Sequence, residues 1–363
     1  MYSLSEKVES IEKKLQRDEI ESILQQALPK IAVFGVGGGG NNACTRLTNI
    51  IGNSSLIKII AANTDAWQLY HSRAHIRLLL GPKLLRGRGA GNRPELGERA
   101  AHEVEDVIRK ILSDRDLVII TATLGGGTGS GASPVIAKIA REMNSVVVGI
   151  FTLPFTAEGS VRMQNAINAL EKLSKYAHTL IVIPNDKLLE IASNLTISDA
   201  FNLCDDILIK TIIGITDLVT KPGLIHVDFN DVAKVLTLGG FGFVGIGEAD
   251  GTTENRTDSA LIQALRHPLL VFEPARARGC LVNITGGKDL TLQETHRIMR
   301  RLQAVFGRLD YELILGVRVD EKFPGLRVTL IMGGIQTTIE ELLKTIKKPR
   351  ELPVESQLDV YSF

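Results

Sequence analysis

Runs of Val, Ile and Leu that are too short for a helix yet too continuous for a half-exposed strand constrain this chain more than any other feature. IAVFG (31–35), IKIIAANTD (57–65), LVIITATL (117–124), SVVVGIFTL (145–153) and TLIVIPN (179–185) are such runs. Helical stretches separate them: NNACTRLTNII, residues 95–113 after Pro94, SPVIAKIAREM, and a stretch around 160–176. Unbroken apolar strands alternating with helices are the pattern of a parallel sheet buried on both faces. The expected fold is therefore α/β with a Rossmann-like, doubly wound sheet.

Two of these strands run into glycine. The chain has 34 glycines, and thirteen fall in the windows 35–40, 87–91 and 125–131. Gly35-Val-Gly-Gly-Gly-Gly40 fits the G-x-G-x-x-G spacing that brings a backbone close to a phosphate at a helix N-terminus. A fourth glycine, the Asn41-Asn42 pair and the Asn63-Thr64-Asp65 ending of the second strand argue against a nicotinamide cofactor. The loop Gly125-Gly126-Gly127-Thr128-Gly129-Ser130-Gly131 also joins a strand to a helix. A tight turn alone does not need five glycines in seven residues. Two such junctions in one sheet aim two helix dipoles and two sets of amides at one anion. No Gly-Lys-Ser/Thr is present, so the phosphates would rest on amides, on the Thr128 and Ser130 hydroxyls, and on a magnesium ion.

Other classes are excluded on simple grounds. With 42 basic and 41 acidic residues the net charge is +1, which does not suit a protein that coats nucleic acid or an acidic membrane. No apolar run approaches the ~20 residues of a spanning helix, and the charged N-terminus is no secretory signal. Cys44, Cys204 and Cys280 are too few and too far apart for a disulfide framework or a four-ligand zinc site. A reducing cytoplasm is the simplest compartment. Residues 1–29 read as a helical extension, 30–195 as a nucleotide domain and 196–222 as a long amphipathic central helix closed by Pro222 and Gly223. Residues 223–335 read as a smaller α+β domain, and 336–363 as a short helix with a polar tail. Within 223–335 the pattern predicts helices at 231–237 and 291–306 and strands at 280–285, 311–319 and 326–332, around a glycine-rich stretch.

GGGTGSG resembles the signature loop of the tubulin/FtsZ family, and its surroundings are similar to FtsZ proteins, with an N-terminal extension like that of archaeal members. The likeness runs from about Ile31 to Ile335. It implies a cytoplasmic GTPase that binds GTP or GDP with Mg2+ and polymerises head to tail, in the cell-division ring. Carried over by motif, Gly38, Gly39 and Asn42 hold the diphosphate and reach the guanine edge. Asn63, Thr64 and Asp65 form the second loop, and Gly89-Ala90-Gly91 the loop that senses the γ-phosphate. The signature loop contributes Gly125, Gly126, Gly127, Thr128, Gly129 and Ser130. Glu158 matches a ribose-binding glutamate and Arg162 a phosphate-side arginine. Asn185, Phe201 and Asp205 match the guanine clamp: a carboxylate accepts from guanine N1–H and its amino group, and an aromatic ring stacks on the base. Read alone, Phe201 is more simply a core position and Asp205 a solvated helix face. The implied partners are copies of the same chain, and a membrane adaptor or second paralogue, without direct membrane insertion.

The resemblance implies that Asp228 and Asp231, in His226-Val-Asp228-Phe-Asn-Asp231, are the hydrolytic pair. Three apart at a helix start, they share a face on which a water could be oriented. They equally suit an N-cap and the first-turn dipole position, and both roles can coexist. The resemblance implies that these acids serve the nucleotide of the next subunit. Two residues depart from the family pattern: His226 stands for an asparagine, and Arg93 for another after the γ-phosphate loop. Both bear on the hydrolysis rate, so slow but real turnover is expected. A scaffold paralogue that polymerises with little turnover is the alternative; an NAD-binding oxidoreductase using only the first loop is a remote one.

Overall fold

The computed structural model describes residues 28–187, 196–221, 223–251, 255–266, 272–307 and 311–347. The expected N-terminal helix up to residue 27, Pro222 and the tail from 348 onward lie outside the described residues. The first half alternates β1 (Ile31–Val36), α1 (Gly37–Ile51), β2 (Ile57–Asn63), α2 (Ala66–His71), β3 (Ile76–Leu79), α3 (Pro94–Glu103), α4 (Glu105–Leu112), β4 (Leu117–Thr123), α5 (Gly127–Glu142), β5 (Val146–Leu153), α6 (Ser160–Leu173) and β6 (Thr179–Pro184). The second half holds α7 (Ile197–Thr220), α8 (Phe229–Leu236), β7 (Phe241–Asp250), α9 (Arg256–Leu265), β8 (Gly279–Gly286), α10 (Leu292–Phe306), β9 (Glu312–Val319), β10 (Gly325–Ile335) and α11 (Ile339–Lys347).

All the strands belong to one ten-stranded sheet in the order β3-β2-β1-β4-β5-β6-β7-β10-β8-β9. Strands β1 to β6 pair in parallel, as the unbroken apolar runs of β1, β4, β5 and β6 require; β3, IRLL with Arg77 exposed, is the edge strand beside β2. β10 runs antiparallel to β7 and to β8, which makes the second half mixed. The halves meet through a short parallel pairing of β6 with β7, Leu180 opposite Phe241 and Ile181 opposite Gly242. The period of two sends Ile31 and Val33 to one face and Ala32, Phe34 and Val36 to the other. The first face is covered by α1, α7 and α8, and the second by α3, α4, α5, α6, α9, α10 and α11.

The 24-residue helix α7 starts at Thr196, whose hydroxyl accepts from Asp199 N, and its buried stripe includes Leu208, Ile212 and Ile215. Each of these side chains, fully buried, contributes about 1.5–3 kcal/mol. The single helix expected over 95–113 is broken at Val104, which leaves helical geometry at φ −115° and ψ 22°. The glycine-rich stretch forms strand β7. A Cβ at Gly247 would sit 1.9 Å from the Ala260 carbonyl oxygen, so only glycine lets α9 lie directly on this strand.

Candidate active site

The carboxyl ends of β2, β1, β4, β5 and β6 surround a cleft of about 540 Å³. It lies where strand order reverses beside β1 and β4, the usual ligand crevice of a doubly wound sheet. Helices α1 and α5 begin there. Neither has a side-chain cap or an acidic residue in its first turn, so first-turn amides are left for a ligand. Gly37 turns the chain into α1 at φ +75°, and a Cβ on it would press Gly129 N at 3.2 Å. The two glycine loops therefore touch.

A network of polar side chains holds this floor. Thr64 Oγ1 and Thr128 Oγ1 share a 2.6 Å hydrogen bond that ties the second loop to the signature loop. Asn63 Nδ2 donates to Gln68 Oε1 at 3.1 Å. With its amide oriented to satisfy the network, buried Asn41 donates to Gly35 O and Gly37 O and accepts from Asn63 Nδ2. Asp65 caps α2 by accepting from Gln68 N.

Along one wall Glu158 pairs with Arg162 at 2.7 Å, and Glu158 Oε1 accepts from Phe155 N. Arg162 Nε is buried with no partner among the described residues, a cationic donor left for an anion. At the far end stand buried Asn185 and the inner turns of α7. Cys204 Sγ lies 3.6 Å from Asn185 Oδ1, and burial pushes its thiol up to about 12. Burial also pushes the Asp205 carboxyl up to about 6; Arg46 opposes the rise from 3.9 Å, and Asp206 adds to it. Arg46 in turn pairs with Asp206 and donates to Asn202 O.

The cleft lining brings together Gly38, Gly39, Asn42, Asn63, Thr64, Asp65, Gly89, Gly91, Gly126, Gly127, Thr128, Gly129, Glu158, Arg162, Asn185 and Asp205. Three expected residues sit behind it instead. Gly125 N donates to Ser130 Oγ at 2.8 Å, so this amide and this hydroxyl satisfy each other inside the loop. Ala90 is buried against Gly127, where a Cβ on the glycine would meet the Ala90 methyl at 2.9 Å. The Phe201 side chain lies outside the described residues. Arg93 is exposed and absent from the lining. The structure adds Gly37, Gln68, Asn92, Thr123, Thr152, Cys204 and Leu208. Strand ends Thr123 and Thr152 could have been read from the parallel pattern; Leu208 follows from Asp205 by helical spacing, and Cys204 lies one turn before Leu208.

Asp228 and Asp231 do not line the cleft. They form a capping box on α8, Asp231 N donating to Asp228 Oδ1 at 2.9 Å and Asp228 N to Asp231 Oδ2 at 3.2 Å. Their loop continues from the C-terminal end of α7, and Ile225 pairs with Val317 on edge strand β9. Asp205 lines the cleft, and α7 runs on from it to Thr220, roughly 22 Å of helix axis, before that loop begins. Among the described residues no group of three or more His, Cys, Asp or Glu could hold a metal, and no helix is long and apolar enough to cross a membrane.

Residues 30–193 match the family model described as the Tubulin/FtsZ family GTPase domain, and 240–336 that of the FtsZ family C-terminal domain. The chain is 46% identical to Cell division protein FtsZ 1 of Thermococcus kodakarensis, over 88% of this chain and 84% of that protein. The chain belongs to the tubulin/FtsZ family. It is 43% identical to Cell division protein FtsZ 1 of Methanocaldococcus jannaschii, over 89% of this chain and 87% of that one. The empty M. jannaschii FtsZ dimer matches with a TM-score of 0.82 at 40% identity, covering 93% of this chain and 98% of that one. GDP-bound CetZ1 from Haloferax volcanii, 22% identical, shares the fold at a TM-score of 0.75 over 87% of this chain and 98% of that one. The protein is thus a GTPase of the FtsZ type, and the oxidoreductase alternative falls.

Proposed function

We propose that this GTPase drives cell division from the cytoplasm by polymerising head to tail, each cleft being completed by the acidic loop of the next copy. The observation that carries this reading is the separation of Asp228 and Asp231 from the cleft by the length of α7, which lines the cleft at Asp205 and ends at Thr220 before the acidic loop. An acid pair so placed cannot orient a water at its own cleft, whereas a copy stacked end to end can bring it there.

In this scheme the first-turn amides of α1 and α5 take the phosphates, and the free Nε of Arg162 adds a charged donor. Ionised Asp205 accepts from the guanine N1–H and amino group, while Asn185 lies alongside. A magnesium ion arriving with the nucleotide would be held by phosphate oxygens and water, its usual habit, and would neutralise charge on the phosphates. Phosphoryl transfer asks mainly for positioning and charge stabilisation. The oxygens of Asp228 and Asp231 left over from the capping box would polarise the attacking water. His226, exposed beside them, replaces an amide with a ring and supports slow turnover.

The limits 30–195 and 223–335, with α7 between, are proposed as the working domains. A membrane adaptor or second paralogue and a location at the division site remain part of the proposal. GTP hydrolysis measured across protein concentration tests it. Specific activity should rise above a threshold, and Asp231→Ala should lose turnover by about 100-fold or more while binding GTP normally. Activity strictly proportional to concentration, without polymer by light scattering, would sink the shared-site scheme.

A further inference from the structure

Two pairs of exposed apolar side chains have no part in the chemistry above. Trp67 and Tyr70 are 74% and 72% exposed; Leu224 and Ile225 are 78% and 44% exposed. Trp67 and Tyr70 stand on α2, the short helix capped by Asp65, whose Asp65 and Gln68 both line the cleft. The Trp67 ring packs on His71 at 4.4 Å between centroids, and the Tyr70 ring meets His71 edge-on at 5.3 Å. His71 Nδ1 also lies 2.9 Å from Trp67 O. The three rings thus brace one another into a lip beside the cleft, on the helix that carries Gln68 into its lining.

Leu224 and Ile225 lead the acidic loop at the other end of the molecule. Ile225 and Val317 exchange two backbone hydrogen bonds of 3.1 Å, which hold the loop's backbone while Leu224 stays in water and Ile225 keeps part of its surface there. A flat aromatic lip and a branched aliphatic tip are complementary, and Trp and Tyr are the residue types that most often anchor interfaces.

We propose that the Trp67–Tyr70 lip of one subunit is the seat for the Leu224–Ile225 tip of the next subunit's acidic loop. This rests on the shared-site reading and adds the contact that sets its register. The occupant is a second copy because the lip lies beside the cleft that the next copy's acids must reach. Leu224 precedes Asp228 by four residues, at most about 14 Å of chain, and Trp67 follows Asp65 by two, at most about 7 Å. An acidic loop laid over the cleft therefore brings its tip within reach of the lip. Seating the tip would fix how deeply Asp231 enters, so assembly and hydrolysis would share one contact.

Trp67 is the only tryptophan of the chain, so its fluorescence reports the contact directly. The full chain with GTP and magnesium is measured below and above the assembly threshold, and in pelleted filaments. Emission should shift to the blue and acrylamide quenching should fall several-fold in filaments alone, whereas filaments of Leu224→Ser should keep the emission of free subunits. Trp67→Ala should raise the threshold about tenfold, as loss of a central aromatic anchor does, with affinity for a fluorescent GDP unchanged. Trp67→Phe should restore most of the assembly. Filaments whose Trp67 stays as open to acrylamide as in free subunits overturn the docking and leave the shared site standing. A blue shift produced by GTP below the threshold makes the signal a local response of α2 and also overturns it. Turnover linear in concentration with no filaments overturns the shared site and the docking together.

Discussion

At the cleft, polar side chains are locked to one another before any ligand arrives: Thr64 to Thr128, Asn63 to Gln68, Asn41 across the first loop. At the acidic loop the two carboxylates are tied only to the first turn of their own helix, Asp228 is exposed, and His226 beside it is exposed too. One half of the site is built within the subunit, and the other is presented outward. Preorganised donors bind without reorganising, so GTP affinity should be a property of the single chain. Exposed acids gain their effect only where water is excluded, so hydrolysis should be a property of the contact.

The largest effect that could break this contrast comes from mixing two crippled variants. Asp205→Ala removes the guanine acceptor and should weaken GTP binding by about 100-fold, two charge-assisted hydrogen bonds being lost. Asp231→Ala keeps the cleft and loses the acid. Each should be nearly inactive alone, and together they should hydrolyse GTP at the junction where a good cleft meets a good acid. A mixture no better than the sum of its parts would mean that each subunit works alone.

A smaller effect sharpens the dual role of Asp228. Asparagine is as good an N-cap as aspartate, whereas alanine costs about 1 kcal/mol of helix stability. Asp228→Asn should therefore keep the melting temperature within about 1 °C of the parent while turnover falls at least tenfold; Asp228→Ala should lower both. Equal turnover for Asp228→Asn and the parent would reduce the residue to a cap.

The mildest test varies pH. The free cleft holds the Asp205 carboxyl near 6 through burial, and guanine needs it ionised. GTP affinity should be flat above pH 7 and fall by up to about tenfold per unit below 6. Because the folded carboxyl sits above its unfolded value of 3.8, its burial favours the fold only while protonated, and that advantage is lost as pH rises through 6. At pH 7 the nucleotide-free Asp205→Asn variant should melt at a higher temperature than the parent, a cost of function that differential scanning would read.

Much of the first half was legible because its signals are local. Strands β1, β4, β5 and β6 are unbroken apolar runs, and both glycine loops sit at the strand–helix junctions where the pattern puts them. The second half resisted. β7 reads as FGFVGIGEAD, glycine-rich and without an unbroken apolar run; its glycines make room for α9, a partner the chain reaches only after β7 ends. At the site, spelling located the signature loop but not the division of labour inside it. Gly125 and Ser130 look identical in kind to Gly126 and Thr128, yet one pair satisfies itself and the other faces the cleft. Nothing in the sequence around Gln68 marks it except the cap at Asp65.

By itself the sequence determined the alternation of strand and helix, the two anion-binding junctions and the capped acidic pair, since periodicity, glycine and short side-chain caps act over a few residues. Only the tertiary structure decided that the acids stand far from the cleft of their own chain. That distance follows from how α7 lies across the sheet, its inner turns docked at the cleft and its C-terminal end at the acidic loop, and that docking depends on contacts between residues far apart in the chain.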